Sequence, residues 1–208
     1  MPDLSYEQAL APALVCGVDE VGRGPLAGPV VAAVVAFLAP PHAALAAGLD
    51  DSKKLSAKRR QAMCALIRAE AEAGRLLLGL GRAEAAEIDR LNILKATFLA
   101  MARAVAALPG PVDCALVDGN QRPPLPLARV ECLVKGDGLS LSIAAASVLA
   151  KVTRDQEMCE LSQRFPHYGW ERNAGYGTAE HRAAITRFGI TEHHRRSFAP
   201  IGDLFVNL

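Results

Sequence analysis

The segment from Val15 to Pro29 constrains the fold of this 208-residue chain most strongly, because it places two adjacent acids just before a glycine-rich turn. Its apolar residues predict a short, buried strand that carries Asp19 and Glu20 at its end. An unpaired carboxylate in such a strand is unfavourable by several kcal/mol and normally becomes neutral or finds a cation. The acids therefore indicate a metal site, or else an Asp19 that only caps a turn beside a solvated Glu20.

The turn that follows contains Gly22 and Gly24 on either side of Arg23. Two glycines let a ligand backbone pass close to Arg23 and to exposed N–H groups, which suits a phosphate. Together with Gly28 they loosely imitate a dinucleotide-binding fingerprint, but that fingerprint must open a helix. Here a β-branched run over 30–38 follows instead, so the pattern predicts strand, turn and strand, a hairpin.

Composition predicts one domain over 1–208, with a core over about 11–200 and a C-terminal helical and loop segment over 165–208. The chain is 51% hydrophobic and 22% charged, which suffices for one well-filled core. The longest apolar run, 30–39, is shorter than the roughly 20 residues that span a bilayer, and no basic region precedes a signal-type core. We therefore expect a cytoplasmic monomer without a membrane segment.

Cysteine and charge patterns exclude some classes of site. The five cysteines have no paired spacing, so the sequence indicates buried thiols rather than disulfides or a zinc site. The net charge of +1 leaves nucleic-acid binding open, because binding depends on a local basic face. Basic clusters lie at Lys53-Lys54, at 58–60 and at Arg195-Arg196, and such clusters are solvated faces unless an anion lies nearby.

Periodicity and capping residues predict the other elements. Ser56 and Gly74 mark the two ends of one predicted helix. The segment over 83–108 predicts either one helix or two helices separated by a break near Asn92. The alanine-rich segment 140–164 is apolar almost all round in its first half, which predicts a buried helix. The predicted elements after the hairpin are a helix over 57–73, a strand over 75–81, helix over 83–108, strands over 112–117 and 128–134, a helix over 140–164 and a helix over 179–188.

Polar residues inside these segments are further candidates for a site. Asp118 follows a short apolar strand, where carboxylates often bind ligands, although an Asp-Gly pair also forms simple turns. Ser147, Lys151 and Asp155 recur every four residues, so Asp155 either points into the same site or only pairs with Lys151 on the surface. The aromatic residues of the loop over 165–177 either stack on a sugar or base or anchor the core.

Seven short motifs follow one another along the chain. They are Asp19-Glu20-Val-Gly-Arg-Gly, Asp51-Ser-Lys-Lys-Leu-Ser56, Val117-Asp118-Gly119, Val134-Lys-Gly-Asp137, the run from Ala144 to Val152 with Arg154-Asp155, Gly175-Tyr-Gly-Thr178 and His194-Arg-Arg-Ser-Phe198. In these motifs and their order the chain resembles bacterial ribonuclease HII, and the resemblance covers nearly its whole length.

This resemblance implies an α/β fold of the ribonuclease H-like type, a central mixed β-sheet flanked by helices with a C-terminal helical segment. It implies an endonuclease that hydrolyses RNA paired to DNA, nicks 5′ of single ribonucleotides in duplex DNA, leaves 3′-OH and 5′-phosphate ends and supports ribonucleotide removal. Asp19, Glu20 and Asp118 match metal-binding positions, and Asp137 or Asp155 completes the catalytic acids. Asp155 is favoured because its helix face is otherwise buried. The implied cofactor is Mg²⁺ or Mn²⁺, two ions of which suit such oxygen ligands.

The resemblance also implies the substrate contacts. Backbone groups of the Gly-Arg-Gly turn would read the ribose 2′-OH, Tyr176 would stack on the adjacent sugar, and Lys53, Lys54 and the Arg195-Arg196 pair would hold phosphates. The predicted substrate-binding residues are Gly22, Arg23, Gly24, Ser52, Lys53, Ser147, Lys151, Tyr176, Arg195 and Arg196. Members of the family often carry a lysine just before the Gly-Tyr pair, where this chain has Asn173-Ala174. We therefore expect slightly weaker substrate binding with intact chemistry.

Three rival functions make different predictions. A non-catalytic nucleic-acid-binding module would be expected to lose some of the acids, and all are present. A nucleotide-cofactor oxidoreductase would need a helix after the glycines. A type I ribonuclease H, which needs a run of ribonucleotides, would lack the Gly-Arg-Gly turn and Tyr176. The tail after Phe198 carries no clear motif for docking a sliding clamp.

Overall fold

Five strands form one mixed sheet in the computed structural model, which describes residues 1–202. Strands β1 (Val15–Val21) and β2 (Val30–Phe37) form the predicted antiparallel hairpin, with Val18 opposite Val34. The strand order is β3-β2-β1-β4-β5, in which β3 (Leu76–Ala83) is antiparallel to β2, while β4 (Cys114–Asp118) and β5 (Arg129–Leu133) run parallel to β1 and β4 respectively. The predicted central mixed sheet is therefore confirmed.

Helices cover both faces of this sheet. The helices are α1 (Ser5–Gln8), α2 (Ala43–Gly48), α3 (Ala57–Glu72), α4 (Ala85–Leu91), α5 (Ile93–Ala106), α6 (Leu141–Arg164), α7 (Trp170–Asn173) and α8 (Ala179–Phe188). One apolar core lies between the sheet and α5, and a second lies between the opposite face and helices α3 and α6. A third, smaller core joins the end of α6 to α7 and α8, which is the predicted C-terminal helical segment.

Local capping explains where several helices begin. Ser56, Ser140 and Thr178 each accept a backbone N–H three residues ahead, at the starts of α3, α6 and α8. Asn92, with φ 68°, separates α4 from α5, so the expected break is confirmed. The expectation of plain loops was wrong in two places, because α2 lies within the stretch after β2 and α7 within 165–177. Both helices are too short to show periodicity in the sequence.

Close packing of α6 on β1 positions the polar residues of that helix. A Cβ atom added at Gly17 would lie 2.2 Å from the backbone nitrogen of Ile143, so only glycine lets the helix approach this strand. This contact brings the middle of α6 under the end of β1, where the acids lie.

In the described part of the chain no helix combines the length and apolar character needed to cross a membrane. Residues 203–208 lie outside the described residues. These residues include the end of the predicted C-terminal segment 165–208 and most of the tail in which a docking motif was sought.

Candidate active site

One cleft of about 390 Å³ collects most of the predicted site residues. Its lining residues are Asp19, Glu20, Val21, Ser52, Lys53, Arg60, Asp118, Ser147, Lys151 and Tyr176. We call it the acid cleft. Of the predicted residues, it therefore brings together three carboxylates, two serines, two lysines and the tyrosine. Arg60 was seen in the sequence only as part of a basic cluster.

The ends of two parallel strands place the carboxylates. Strand β1 pairs with β4 only as far as Val18, opposite Val117, and the next residues of the two strands are Asp19 and Asp118. Pairing of β1 with β2 continues in regular register to Val21, without a bulge. Only the ladder between β1 and β4 ends at the acids, which leaves that edge of β1 open to the cleft.

Burial and mutual repulsion dominate the electrostatics of these acids. Asp19 is only 6% exposed. Burial, and then the neighbouring carboxylates Glu20 and Asp118, raise the pKa of Asp19 well above its ordinary value, against a hydrogen bond of 2.7 Å from the Glu20 backbone amide. Burial also raises the pKa of Glu20, although Arg23, 3.2 Å from Glu20 Oε1, opposes this shift. The ionised cluster is short of positive charge, which a bound cation would supply.

The fourth acid beside this cluster is Asp137. It is buried at 7% exposure in the turn after β5, and the adjoining amide of Gly136 donates to Asp118 Oδ1 at 2.7 Å. Burial, followed by repulsion from Asp118 and Asp51, raises the pKa of Asp137 to about 6. The sequence gave no sign that Asp51 lies near Asp137.

Asp155, which the sequence favoured over Asp137, does not line the acid cleft in the structure. The side chain of Asp155 is 37% exposed, and its Oδ1 accepts from Lys151 Nζ at 2.7 Å. It lines a different cleft, together with Val152, Gln156 and Cys159. Lys151 and Asp155 lie on the same face of α6, one helical turn apart, so the lysine lines the acid cleft while Asp155 lies one turn further along the helix.

The donor set of the acid cleft fits a hard divalent cation. Its charged oxygen donors are carboxylates, and Mg²⁺ and Mn²⁺ prefer such ligands. Within residues 1–202, no three side chains of His, Cys, Asp or Glu already stand as a finished coordination shell. The carboxylates therefore share a cleft and repel one another, and a cation that enters must draw them together.

The loop before α3 reaches the cleft through Ser52 and Lys53. Ser147 on α6 donates from Oγ to Ser52 Oγ at 2.9 Å, and Arg60 donates to the Ser52 carbonyl at 2.9 Å. These two contacts hold the exposed Lys53 at the mouth of the cleft. Lys54, in contrast, pairs with Asp50 at 3.3 Å and does not line it.

The Gly-Arg-Gly turn, residues 22–24, lies beside the acid cleft. Gly22 has φ 94°, and a Cβ atom there would lie 2.2 Å from Arg154 Nε, so both backbone angle and space require glycine. Arg154 is buried and donates to the carbonyls of Ala27, Pro29 and Ala174. It thereby ties the segment after the turn to the loop that carries Tyr176.

Arg195 corrects a second prediction, because it is fully buried and does not face solvent as a phosphate ligand must. Its guanidinium donates to the carbonyl oxygens of Gly22, Arg23 and Gly28. Burial and the neighbouring Arg154 lower the pKa of Arg195 to about 9, which leaves it charged at neutral pH. The adjacent Arg196 is exposed, and its backbone amide donates to Asp89 at 3.0 Å.

The aromatic residues of 165–177 divide into two groups. Trp170 and Tyr168 are 0% and 4% exposed and stack on one another with ring centroids 5.1 Å apart, so they anchor the C-terminal core. Tyr176 is 47% exposed on the rim of the acid cleft. A Cβ atom added at Gly24 would lie 3.6 Å from Tyr176 Cε1, so the ring lies directly against the turn. Only Tyr176 therefore offers a stacking surface here.

A buried histidine pair supports the loop that carries Tyr176. Trp170 Nε1 donates to His181 Nε2 at 3.0 Å, so Nδ1 of His181 carries the proton that it donates to the Tyr176 carbonyl at 2.9 Å. His194 Nδ1 accepts from the Thr191 amide, and its Nε2 lies 3.2 Å from His181 Nε2. Burial, and then His181 and His193, lower the pKa of His194 to about 3. Both rings are therefore neutral in the folded protein.

Comparison with known proteins gives one consistent result. A family model described as Ribonuclease HII matches residues 16–201. A ribonuclease HII from Rhodospirillum rubrum is 62% identical over 204 residues, which cover 98% of this chain and 91% of the relative. The crystal structure of ribonuclease H2 from Pyrococcus horikoshii OT3 is similar with a TM-score of 0.74 and 25% identity, covering 93% of this chain and 97% of that one.

A structure of Bst-RNase HIII in complex with Mn²⁺ shares the fold alone. Its TM-score is 0.76 at 21% identity, over 100% of this chain and 74% of that one. The fold class predicted from the sequence is confirmed by these two solved structures.

Proposed function

The chain belongs to the ribonuclease HII family, whose members hydrolyse RNA in RNA/DNA hybrids, and we propose that it also nicks duplex DNA on the 5′ side of single embedded ribonucleotides. The observation that carries this proposal is the contact between the Gly-Arg-Gly turn, Tyr176 and the acid cleft. A ribose bound at the turn would place its neighbouring phosphate over the carboxylates. Such an enzyme supports ribonucleotide removal from DNA.

The metal proposal rests on the chemistry of the carboxylates. Asp19, Glu20 and Asp118 would hold Mg²⁺ or Mn²⁺, with Asp137 as the fourth acid in place of Asp155. When bound, two such ions supply a hydroxide-like nucleophile and stabilise charge on the phosphoryl oxygens and on the departing 3′ oxygen. The Mn²⁺ in the Bst-RNase HIII structure supports a divalent cation in this fold.

The basic residues of the cleft would orient the phosphate group. Lys53 and Lys151 both line the cleft, and the pair between Lys151 and Asp155 fixes the direction of the lysine from behind. Each ammonium would neutralise one non-bridging oxygen without reading sequence. Ser52 and Ser147 hold the Lys53 loop against α6, so they act on the substrate through that lysine.

Ribose recognition would combine hydrogen bonding with stacking. Arg23 and Gly24 are exposed residues of the turn, and their amides would donate to the 2′-OH, the group that distinguishes RNA from DNA at one nucleotide. The exposed ring of Tyr176 would cover the sugar of the next nucleotide. A ribonucleotide followed by a deoxyribonucleotide satisfies both contacts at once, which selects the junction.

Cleavage of two duplexes tests this function. One duplex contains a single ribonucleotide in a DNA strand, and the other pairs a continuous RNA strand with DNA. With Mg²⁺ we expect a single nick 5′ of the lone ribonucleotide, leaving 3′-OH and 5′-phosphate ends. Asp118→Asn serves as the control and should cut neither duplex while keeping the wild-type melting temperature or a higher one. Cleavage of the RNA run alone would leave the family chemistry intact and refute junction recognition.

A further inference from the structure

The buried Arg195 lies directly beneath the Gly-Arg-Gly turn, on the side away from solvent. From its contacts we infer that Arg195 is a positioning residue for ribose recognition, which turns the amide donors of Arg23 and Gly24 toward the substrate. This inference rests on the proposed function, because it assigns the cause of the turn's selectivity.

Peptide geometry provides the first step of the argument. Arg195 Nη2 donates to the Gly22 carbonyl at 2.5 Å, and Nη1 donates to the Arg23 carbonyl at 2.9 Å. In a trans peptide the carbonyl of one residue and the N–H of the next point in opposite directions. Drawing the Gly22 and Arg23 carbonyls inward therefore directs the N–H groups of Arg23 and Gly24 outward.

The amides of Arg23 and Gly24 have the exposure and the free donors that this outward direction requires. Arg23 and Gly24 are both exposed, whereas the next residue, Pro25, is buried. Within residues 1–202, neither the Arg23 nor the Gly24 amide donates to another group of the protein. Further along, Leu26 donates to the Gly175 carbonyl at 2.8 Å, so the pairing of the segment resumes just beyond the turn. The two donors are thus available to a ligand and fixed in direction.

Only an arginine can make this set of contacts from one buried position. Nε and Nη2 both reach the Gly28 carbonyl, at 3.0 and 2.9 Å, while the other donors reach Gly22 and Arg23. A lysine ammonium is a compact point donor and lacks the fork of N–H groups that reaches three separate carbonyls. The guanidinium is itself fixed, because the Arg195 amide donates to the Leu26 carbonyl at 2.9 Å and its Cζ lies 5.1 Å from the Phe198 ring centroid.

The test compares Arg195→Lys with Arg196→Ala, since the two arginines are adjacent, but Arg195 is buried with its guanidinium on the carbonyls of the turn whereas Arg196 is exposed. Fluorescence anisotropy in Ca²⁺, used as a divalent ion that does not support cleavage, measures binding to a duplex with one ribonucleotide and to the matched all-DNA duplex. For Arg195→Lys we expect the ribonucleotide preference to fall by about tenfold, as losing one or two oriented donors implies, with little change in all-DNA affinity. For Arg196→Ala both affinities should fall alike with a shallower salt dependence, and the preference should stay unchanged.

A measurement on the wild-type protein guards against a variant that does not fold. The ¹⁵N–¹H signals of Arg23 and Gly24 should shift on adding the ribonucleotide duplex and not on adding the all-DNA duplex. A folded Arg195→Lys protein that keeps the full preference, or wild-type amides that respond equally to both duplexes, would overturn the role of Arg195. A wild-type protein without any ribonucleotide preference would overturn the proposed function as well, so the two failures are distinguishable.

Discussion

The carboxylates of the acid cleft are buried or half-buried with too few positive charges or hydrogen-bond donors around them. The adjacent Gly-Arg-Gly turn, in contrast, lies over the buried positive charge of Arg195, which has well-placed hydrogen-bond acceptors. Burial, and then repulsion from Glu20 and Asp118, raise the pKa of Asp19. Arg195 is equally buried, but it donates to three carbonyl oxygens that the turn directs at it. The cleft is therefore incomplete without a cation, and the turn is complete before any ligand arrives.

This difference separates two tasks. Binding a divalent ion requires carboxylates that gain from its arrival, so their repulsion in the free protein contributes to cation affinity. Recognising one hydroxyl requires donors that do not move, because each donor displaced by even a fraction of an ångström weakens its hydrogen bond. The acid cleft lacks compensating positive charge, whereas the Gly-Arg-Gly turn is already in its binding geometry. Tyr176 contacts both.

The largest effect on cleavage should follow from removing the charge of Asp19, which also removes the repulsion between the carboxylates of the cleft. Asp19→Asn should reduce Mg²⁺-dependent cleavage by at least about a thousandfold, because a metal ligand contributes several kcal/mol to the transition state. The same change should raise the melting temperature of the metal-free protein by about 3–6 °C, because it removes a buried charge. Calorimetry with and without Mg²⁺ checks this, with the exposed Glu160→Gln as control. A lower melting temperature for Asp19→Asn would contradict the proposed repulsion.

The two candidate fourth acids should differ sharply. Asp137→Asn should reduce cleavage by about a hundredfold or more, because Asp137 adjoins Asp118. Asp155→Asn should reduce it by less than about tenfold, because it only frees Lys151 from its partner. Single-turnover rates at saturating Mg²⁺ compare the two variants. Equal losses would restore Asp155 to the metal site and extend the cleft along α6.

Gly22→Ala should disturb the turn rather than the cleft. A side chain at φ 94°, 2.2 Å from Arg154 Nε, should destabilise the fold by about 2–4 kcal/mol. Urea unfolding measures the loss, and Gly74→Ala is the matched control, since Gly74 has φ 69° but no atom within 4 Å of an added Cβ. If both variants lose the same free energy, backbone angle alone matters and the contact with Arg154 contributes nothing.

Lowering the pH should destabilise the histidine pair that supports the loop of Tyr176, while Arg195 keeps its charge. The pKa of His194 is about 3 in the folded protein, below its ordinary value, so the unfolded chain takes up a proton between about pH 6.5 and 3 that the folded protein excludes. Stability is therefore full above about pH 6.5 and falls as the pH is lowered, by about 2 kcal/mol near pH 5. His194→Gln should flatten this dependence in urea unfolding at pH 5 and 7.5. An unchanged slope would mean that His194 does not control it.

The smallest effect concerns the missing basic residue before Gly175. Ala174→Lys should strengthen substrate binding about threefold and make it more salt-dependent by about one phosphate contact. Ala174→Gln, of similar length but neutral, controls for the left-handed backbone at φ 47°. Unchanged affinity and salt dependence in Ala174→Lys would show that the turn and Tyr176 already provide full binding at this side of the substrate.

Much of the site was predictable because its signals are local. The hairpin follows from two apolar runs joined by glycines and prolines, and β1 and β2 pair as expected. The acids Asp19, Glu20 and Asp118 lie near the C-terminal ends of the neighbouring parallel strands β1 and β4, so their convergence was expected from the rules of α/β sheets. Ser56, Asn92 and Thr178 set helix boundaries through contacts within three residues.

Other features were wrong or missing because they depend on contacts between distant segments. The sequence shows Arg195 and Arg196 as one basic pair, yet one is buried under a turn 172 residues away in the chain and the other is exposed. Asp155 belongs to a regular i, i+4 pattern, but it lies one turn further along α6 than Lys151 and lines a different cleft. Asp137 shows only as a turn residue until folding places it beside Asp118.

The sequence by itself therefore determined the family, the hairpin, the helix boundaries and the three acids at strand ends, since these rest on short-range chemistry. The tertiary structure alone decided which arginine is buried, which further acid lies beside Asp118 and which aromatic ring is exposed. The physical reason is that the burial of a side chain depends on all the segments that pack around it in the folded protein. A side chain's desolvation and its partners are set by segments that meet only when the sheet and its helices are assembled.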